Sequence, residues 1–390
     1  MPIVSYSLNP KVQELTTAIQ NPLAGVMAVL ENVIPISQGD PDLPTPPHII
    51  EAAKQALDEG HTHYTPVRGL LELRQAIAQK LAQENGFEVD PASEIIVTSG
   101  AQEAIFALVQ ALLGPKDELL LPDPCYTAYN LAVTLSDGRA VSVPTLEQND
   151  FLMRPGEIIQ RITSRTKALL VVNPNMPAAG VFPVEMLEEI ATLAREHNLL
   201  VISDELYEKF LFDGARHMSL ASLPGMRERT VTIGGFSKTY SMTGWRVGYV
   251  AGPGHVIQGL EAMKHGMTIC ATAVSQKAAL AALEGSQDCV EETRTTYDQR
   301  RRFLMRTLDE MGITYGQWRG GFSVLANITA AGMTSLEFAT RLLQEGRVYA
   351  SPGTAFGPAG EGYVRISFLS PVPRLEEAMA RFRQVWDRCR

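Results

Sequence analysis

Cysteine is scarce in this 390-residue chain: Cys125, Cys270, Cys289 and Cys389 show no CxxC spacing and no paired rhythm. That pattern argues against a disulfide framework or a cysteine zinc site and suits thiols of a reducing compartment. Long apolar runs are missing too. The longest nearly apolar stretch, Ala104 to Leu113, is ten residues and contains Gln110, well short of the ~20 needed to span a membrane. Positive charge is in deficit, with 34 Lys+Arg against 43 Asp+Glu and a net charge of −9. Such a surface repels a phosphate backbone, so neither nucleic acid nor membrane is expected as a partner. The amino terminus, MPIVSYSLNPKVQELTT, has no basic stretch followed by an apolar one, so no secretory leader is expected and the expected location is cytoplasmic. His61 and His63 lack companions at ligand spacing, so no metal is expected. Gly248 and the glycines of AGPG (251–254) do not make a GxGxxG turn, which argues against a nicotinamide enzyme.

What is present is an α/β alternation. A prior of about 150 residues per domain suggests two or three units. SQGDPDLPTPP carries four prolines between Asp40 and Pro47, which neither a helix nor a central strand accommodates, so it reads as a connector. From about residue 48, short apolar runs alternate with amphipathic helices such as Pro183–His197. The runs are EIIVTSG (94–100), ELLLPDP (118–124), KALLVVNP (167–174), LLVISDE (199–205) and TVTIGGFSK (230–238). Each is bounded by Gly, Pro or Asp, as expected of strands buried on both faces of a mostly parallel sheet. After about residue 275 the texture changes to a long charged helix, Cys289–Met311, then a strand in YVRISF and a closing helix. We expect an arm and connector over 1–47, a large domain over 48–275 and a smaller α+β domain over 276–390. The triple Arg300–Arg302 invites a phosphate-binding reading, but such a run is more often a solvated helix face.

Open α/β sheets bind ligands at the carboxyl ends of their strands. Ser99-Gly100-Ala101-Gln102 follows the first run and opens a helix; Pro122 to Tyr126 follows the second; Asn173 to Pro177 follows the third. Asp204 to Tyr207 follows the fourth, Gly234 to Lys238 the fifth, and Arg246 lies eight residues after Lys238. Singly, these have ordinary uses: Asp204 as a helix cap, the small residues as a turn, Lys238 as surface. Yet Lys238 is one of nine lysines against 25 arginines, and together the groups fit one ligand, a phosphorylated aromatic aldehyde with a ring nitrogen and a phenolic oxygen. Amides of Gly100, Ala101 and Gln102 would hold the phosphate, with Ser237 and Arg246. Asp204 would keep the ring nitrogen protonated, Tyr207 would bond the phenolic oxygen, and Tyr126 would stack on the ring. Lys238 would bond the aldehyde and serve as general base, which requires its pKa to fall from ~10.4.

The chain closely resembles the class I/II aminotransferases, fold-type I enzymes that use pyridoxal 5′-phosphate (PLP). The matching segments are GDPDLPTP (39–46), HYTPVRG (63–69), TSGAQEA (98–104), DPCYTAY (123–129), NPNMPAAG (173–180), SDELYEKF (203–210), GGFSKTYSMTGWRVGY (234–249) and SPGTAFGPAGEGYVRISF (351–368). The resemblance implies transfer of the α-amino group of an L-amino acid to a 2-oxo acid through a Schiff base on Lys238 and a pyridoxamine form. It implies that Arg365 clamps the substrate carboxylate, that the backbone at Gly39 approaches it, and that Tyr64 reaches the cofactor phosphate of a partner subunit in a homodimer. One departure stands out. The family pattern NPxNPTG places a donor where this chain has Met176, and methionine cannot donate. Asn175 or Asn173 would have to compensate, or Tyr207 would act alone. Met176 also motivates an alternative on the same fold: a lyase, cyclase, decarboxylase or oxidative deaminase.

Overall fold

The computed structural model describes residues 7–18 and 22–390. Residues 1–6 and 19–21 of the expected amino-terminal arm lie outside the described residues. The strands, in chain order, are β1 (Ile34–Pro35), β2 (Ile95–Thr98), β3 (Glu118–Asp123), β4 (Arg139–Pro144), β5 (Thr166–Val172), β6 (Leu200–Asp204), β7 (Thr230–Gly235), β8 (Gly248–Ala251), β9 (Ser323–Asn327), β10 (Val348–Tyr349), β11 (Ser351–Pro352) and β12 (Tyr363–Ser367). Seven of them form one sheet in the order β2-β8-β7-β6-β5-β3-β4. All its pairings are parallel except those of β8, which runs antiparallel to both β2 and β7.

The sheet is covered on both faces, and the pleat shows why. Leu119, Leu121, Ala168, Leu170 and Val172 enter one apolar core, with helices Ala101–Leu112 and Gly254–Met267. The alternate residues Leu120, Leu169 and Val171 enter another, with helix Val184–Glu196. A period of two sends neighbours to opposite faces, so a strand covered on both sides is apolar throughout.

A separate apolar core gathers Ile34 and Ile36 with residues from Tyr297 to Trp386, among them Trp318, Phe338 and Phe382. Its three-stranded sheet has the order β11-β12-β9. The long charged helix spans Asp288–Glu310. Two of its three consecutive arginines are not on a solvated face. Arg300 is buried and forms a two-point pair with Asp42 at 2.7 and 3.0 Å, pinning the proline-rich connector. Arg301, also buried, pairs with Asp213 and Asp298 and donates to the Trp318 carbonyl at 2.5 Å. Only Arg302 remains exposed. Their planar forks suit buried carboxylates, and sequence alone does not reveal the distant Asp42 and Asp213.

Gly234 is required where β7 meets β8. A Cβ there would lie 2.3 Å from the ring of Tyr249, its cross-strand partner, which is itself buried. Gly234→Ala is therefore expected to overpack the sheet and cost about 1–3 kcal/mol. The measurement is the urea midpoint of the purified protein, which should fall; an unchanged midpoint would show that Tyr249 moves freely.

Candidate active site

The parallel strands leave the sheet at one edge, and the antiparallel β8 enters there. Thr98 and Gly235 both pair with Gly248, the first residue of β8. This brings Arg246 against Gly100, whose φ is +83° and whose added Cβ would lie 2.6 Å from the guanidinium. Only glycine combines that backbone with that approach. Beside it, Asp204 ends β6, and the chain runs from the end of β7 through Ser237 to Lys238. Arg365 comes from the middle of β12 and Gly39 from the connector.

A cavity of about 480 Å³ gathers Gly39, Ala101, Gln102, Tyr126, Met176, Asp204, Tyr207, Ser237, Lys238, Arg246 and Arg365. Gly100 caps the helix start behind Arg246. Besides Gly100, two expected residues do not line the cavity. Tyr64 is 80% exposed. Asn175 is buried with its Nδ2 donating to the Phe151 carbonyl at 2.5 Å. Asn173 donates to the Met218 carbonyl at 3.4 Å and accepts from the Phe182 amide. Neither asparagine lines the cavity, whereas Tyr207 does.

Burial and neighbouring charge tune the site. Burial, with Arg365 and Arg246 nearby, lowers the Lys238 ammonium to about 8, against the pull of Asp40 and Asp204. Its Nζ donates to the Gly39 carbonyl. Burial raises the Asp204 carboxyl to about 6, although Tyr129 and the Leu206 amide donate to it. Arg365 is set by Ser37, donating through Nε to the hydroxyl at 3.0 Å and through Nη2 to the carbonyl. The Tyr126 hydroxyl donates to Gln102 at 3.1 Å. Tyr207 packs edge-on against Phe322 at 5.0 Å.

Sequence reasoning missed Tyr129, Asp40 and Thr243, all on the cavity wall. Tyr129 lies three residues after Tyr126 on helix Thr127–Leu135, a spacing that shares a face and could have pointed to it. Asp40 accepts from Thr243 at 2.6 Å. Glu205, Glu208 and His217 converge as metal ligands do, but they already form an internal network. His217 lies 3.0 Å from Glu205, Ser203 and Ser219 donate to Glu205, and Lys80 pairs with Glu208. Burial opposes ionisation of Glu208, yet Lys80 and its other partners hold its carboxyl down at about 2.

The donor set fits a phosphorylated pyridine aldehyde. It offers a cradle that a Cβ on Gly100 would fill, helix amides and Arg246 for a phosphate, a buried carboxylate for a ring nitrogen, and an amine near neutrality for an aldehyde. Known proteins match most of the chain. The family described as "Aminotransferase class I and II" matches residues 31–382. An aspartate aminotransferase of Pyrococcus abyssi is 45% identical over 93% of this chain and 94% of its own length. Aromatic-amino-acid aminotransferase 2 of Thermococcus litoralis is 42% identical over 91% and 92%. The crystal structure of an aromatic aminotransferase from Pyrococcus horikoshii superposes with a TM-score of 0.90 at 45% identity, covering 92% of this chain and 96% of that one.

The raised Asp204 has a thermodynamic signature. Its folded value of about 6 lies above the ordinary 3.8, so ionisation opposes folding at neutral pH, and that cost disappears as pH falls through 6 toward 4. Asp204→Asn in the cofactor-free protein is expected to stabilise by about 3 kcal/mol at pH 7 and to give no gain below about pH 4. Urea unfolding at the two pH values checks both the size and the sign.

Proposed function

Because the chain belongs to the class I and II aminotransferases, we propose that it moves the α-amino group of an L-amino acid to a 2-oxo acid as a cytoplasmic, PLP-dependent homodimer. The observation that carries this reading is the convergence of Lys238, Asp204, Arg246 and Arg365 on one cavity. The relatives named above are all aminotransferases, so the lyase, cyclase, decarboxylase and oxidative-deaminase alternative is not favoured.

In this reading Gly100, Ala101, Gln102, Ser237 and Arg246 hold the cofactor phosphate, and Asp204 holds the proton on the ring nitrogen. Tyr126 covers the ring and Tyr207 donates to its phenolic oxygen. Tyr64, exposed on one protomer, reaches the phosphate across the dimer. When bound, PLP supplies an electron sink at the substrate α-carbon and a carrier for the amino group. Lys238 would bond the cofactor aldehyde in the resting enzyme; once released, its amine would take the proton from the substrate α-carbon and deliver it to the carbon that had carried the aldehyde, leaving the amino group on the cofactor. A pKa near 8 suits that exchange, because both protonation states are populated near neutral pH. Arg365 fixes the substrate carboxylate, and its Ser37 contacts hold the guanidinium in place.

Charge matching narrows the substrate. The cations on the cavity wall are Lys238, Arg246 and Arg365, and each has a partner in this scheme. Among the described lining residues no fourth cation is left for a second carboxylate, while Gln102 and Tyr126 present neutral groups. On this protomer's described lining alone, an aromatic or other neutral amino donor is matched and the side-chain carboxylate of aspartate is not. A cation for the latter would come from the partner protomer, which in this scheme also brings Tyr64.

Absorption spectroscopy of the PLP-loaded protein tests this. Single amino acids added without a keto acid should convert the cofactor band once per site, aromatic ones at lower concentration than aspartate. Arg365→Ala should reduce kcat/KM roughly a hundredfold for every amino acid, as expected when a charge-assisted two-point contact is lost. Product beyond one equivalent without an acceptor would sink the transaminase reading. Met176→Asn should move the pH midpoint of the visible absorption change down by about one unit, because a new donor favours the phenolate. An unmoved midpoint would mean that position 176 does not reach the phenolic oxygen.

A further inference from the structure

Glu103 lies in the first turn of the helix Ala101–Leu112, immediately after the amides assigned to the phosphate, and is 8% exposed. A carboxylate there would ordinarily repel a phosphate. Its oxygens are fully engaged. Oε2 accepts from the Ser99 amide and from Lys264 Nζ at 2.8 Å, and Oε1 accepts from the Thr268 hydroxyl. Burial pushes the Glu103 carboxyl up, but Lys264, Thr268 and Ser99 together bring it below its ordinary value.

Lys264 is 1% exposed and sits in the last turn of helix Gly254–Met267, where the helix dipole favours a cation. It also donates to Thr268 Oγ1 at 3.0 Å. The Thr268 and Ile269 amides both close on the Lys264 carbonyl, at 2.9 and 3.0 Å. That closure holds Ile269 at φ +63°, a left-handed conformation that disfavours a β-branched residue. A buried ion pair of this kind contributes little net stability over an apolar pair, so its position calls for another role.

We propose that Glu103, Lys264 and Thr268 are positioning residues for the phosphate-binding turn. None of the three lines the cavity. Glu103 closes on Ser99 and fixes the turn that aims the next amides at the phosphate. Lys264 cancels the carboxylate charge that would otherwise face the same phosphate, and Thr268 holds both partners in register. The inference rests on the reading that Gly100 to Gln102 hold the PLP phosphate.

The test compares PLP with pyridoxal, which lacks the phosphate, by titrating each into the full-length cofactor-free protein and reading absorbance. Lys264→Met should weaken PLP about tenfold or more, leave pyridoxal within about twofold, and be largely rescued by Glu103→Gln in the same chain. A purely structural pair would lower the unfolding midpoint without changing the PLP-to-pyridoxal affinity ratio. Equal losses for the two ligands, or no loss for either, overturn the proposal. If Lys264→Met does not fold, Thr268→Val carries the same test, with a PLP-selective loss of about threefold expected and an unchanged ratio overturning the idea. A wild-type protein that takes up no PLP overturns the site assignment as well. Failure confined to the variants leaves that assignment standing.

Discussion

The site depends on strand register. Val172 pairs with Asp204 and Asp204 with Ile233, so the carboxyl ends of β5, β6 and β7 stand side by side. The antiparallel β8 then begins where they finish, against Thr98 and Gly235. Slipping one strand by a residue would turn every side chain to the opposite face. Asp204 would leave the cavity, and the two apolar cores would exchange residues with each other. The hydrophobic alternation that specifies the cores therefore also specifies the geometry of the cavity.

Within that frame, desolvation does much of the chemical preparation. Burial pushes Lys238 down and Asp204 up, each toward its neutral form. Both shifts carry a folding cost in the empty protein, and both are relieved by a ligand that brings an aldehyde and a basic ring nitrogen. The network of Glu205, Glu208 and His217, just beyond Asp204 in the chain, together with the distant Lys80 has no such deficit, because its groups satisfy one another. The contrast separates groups held ready for a ligand from groups that support the scaffold.

The buried strands were legible because parallel strands covered on both faces are apolar without interruption, and the runs at 94–100, 118–124, 167–174, 199–205 and 230–238 stood out for that reason. β4 did not stand out: it is an edge strand, with three of six residues polar or proline and only Val143 fully buried. β8 was hidden inside a segment read for its lysine and arginine. Lys238, Asp204 and Arg246 could be read from their places after strands, while Arg365, Gly39 and Tyr64 came only through family resemblance. Glu103 and Lys264 were out of reach, since their contact joins residues 161 apart and neither falls at a strand end. The buried Arg300 and Arg301 show the same limit, because the compensating carboxylates lie far away in sequence.

The pin between Arg300 and Asp42 has an evolutionary side. It fastens the connector that carries Gly39 to the C-terminal core, which also carries Arg365. The groups assigned to the cofactor instead come from the edge of the seven-stranded sheet. In the proposed assignment, recognition of the substrate and retention of the cofactor draw largely on separate stretches of the gene, with Tyr207 packed into both. The two stretches touch where Tyr207 packs on Phe322 and Lys238 donates to the Gly39 carbonyl, so substitutions there act on both, whereas effects at distant, independent sites combine nearly additively. Away from those contacts, the side of the cavity proposed for the substrate can change while the side proposed for the cofactor keeps its packing.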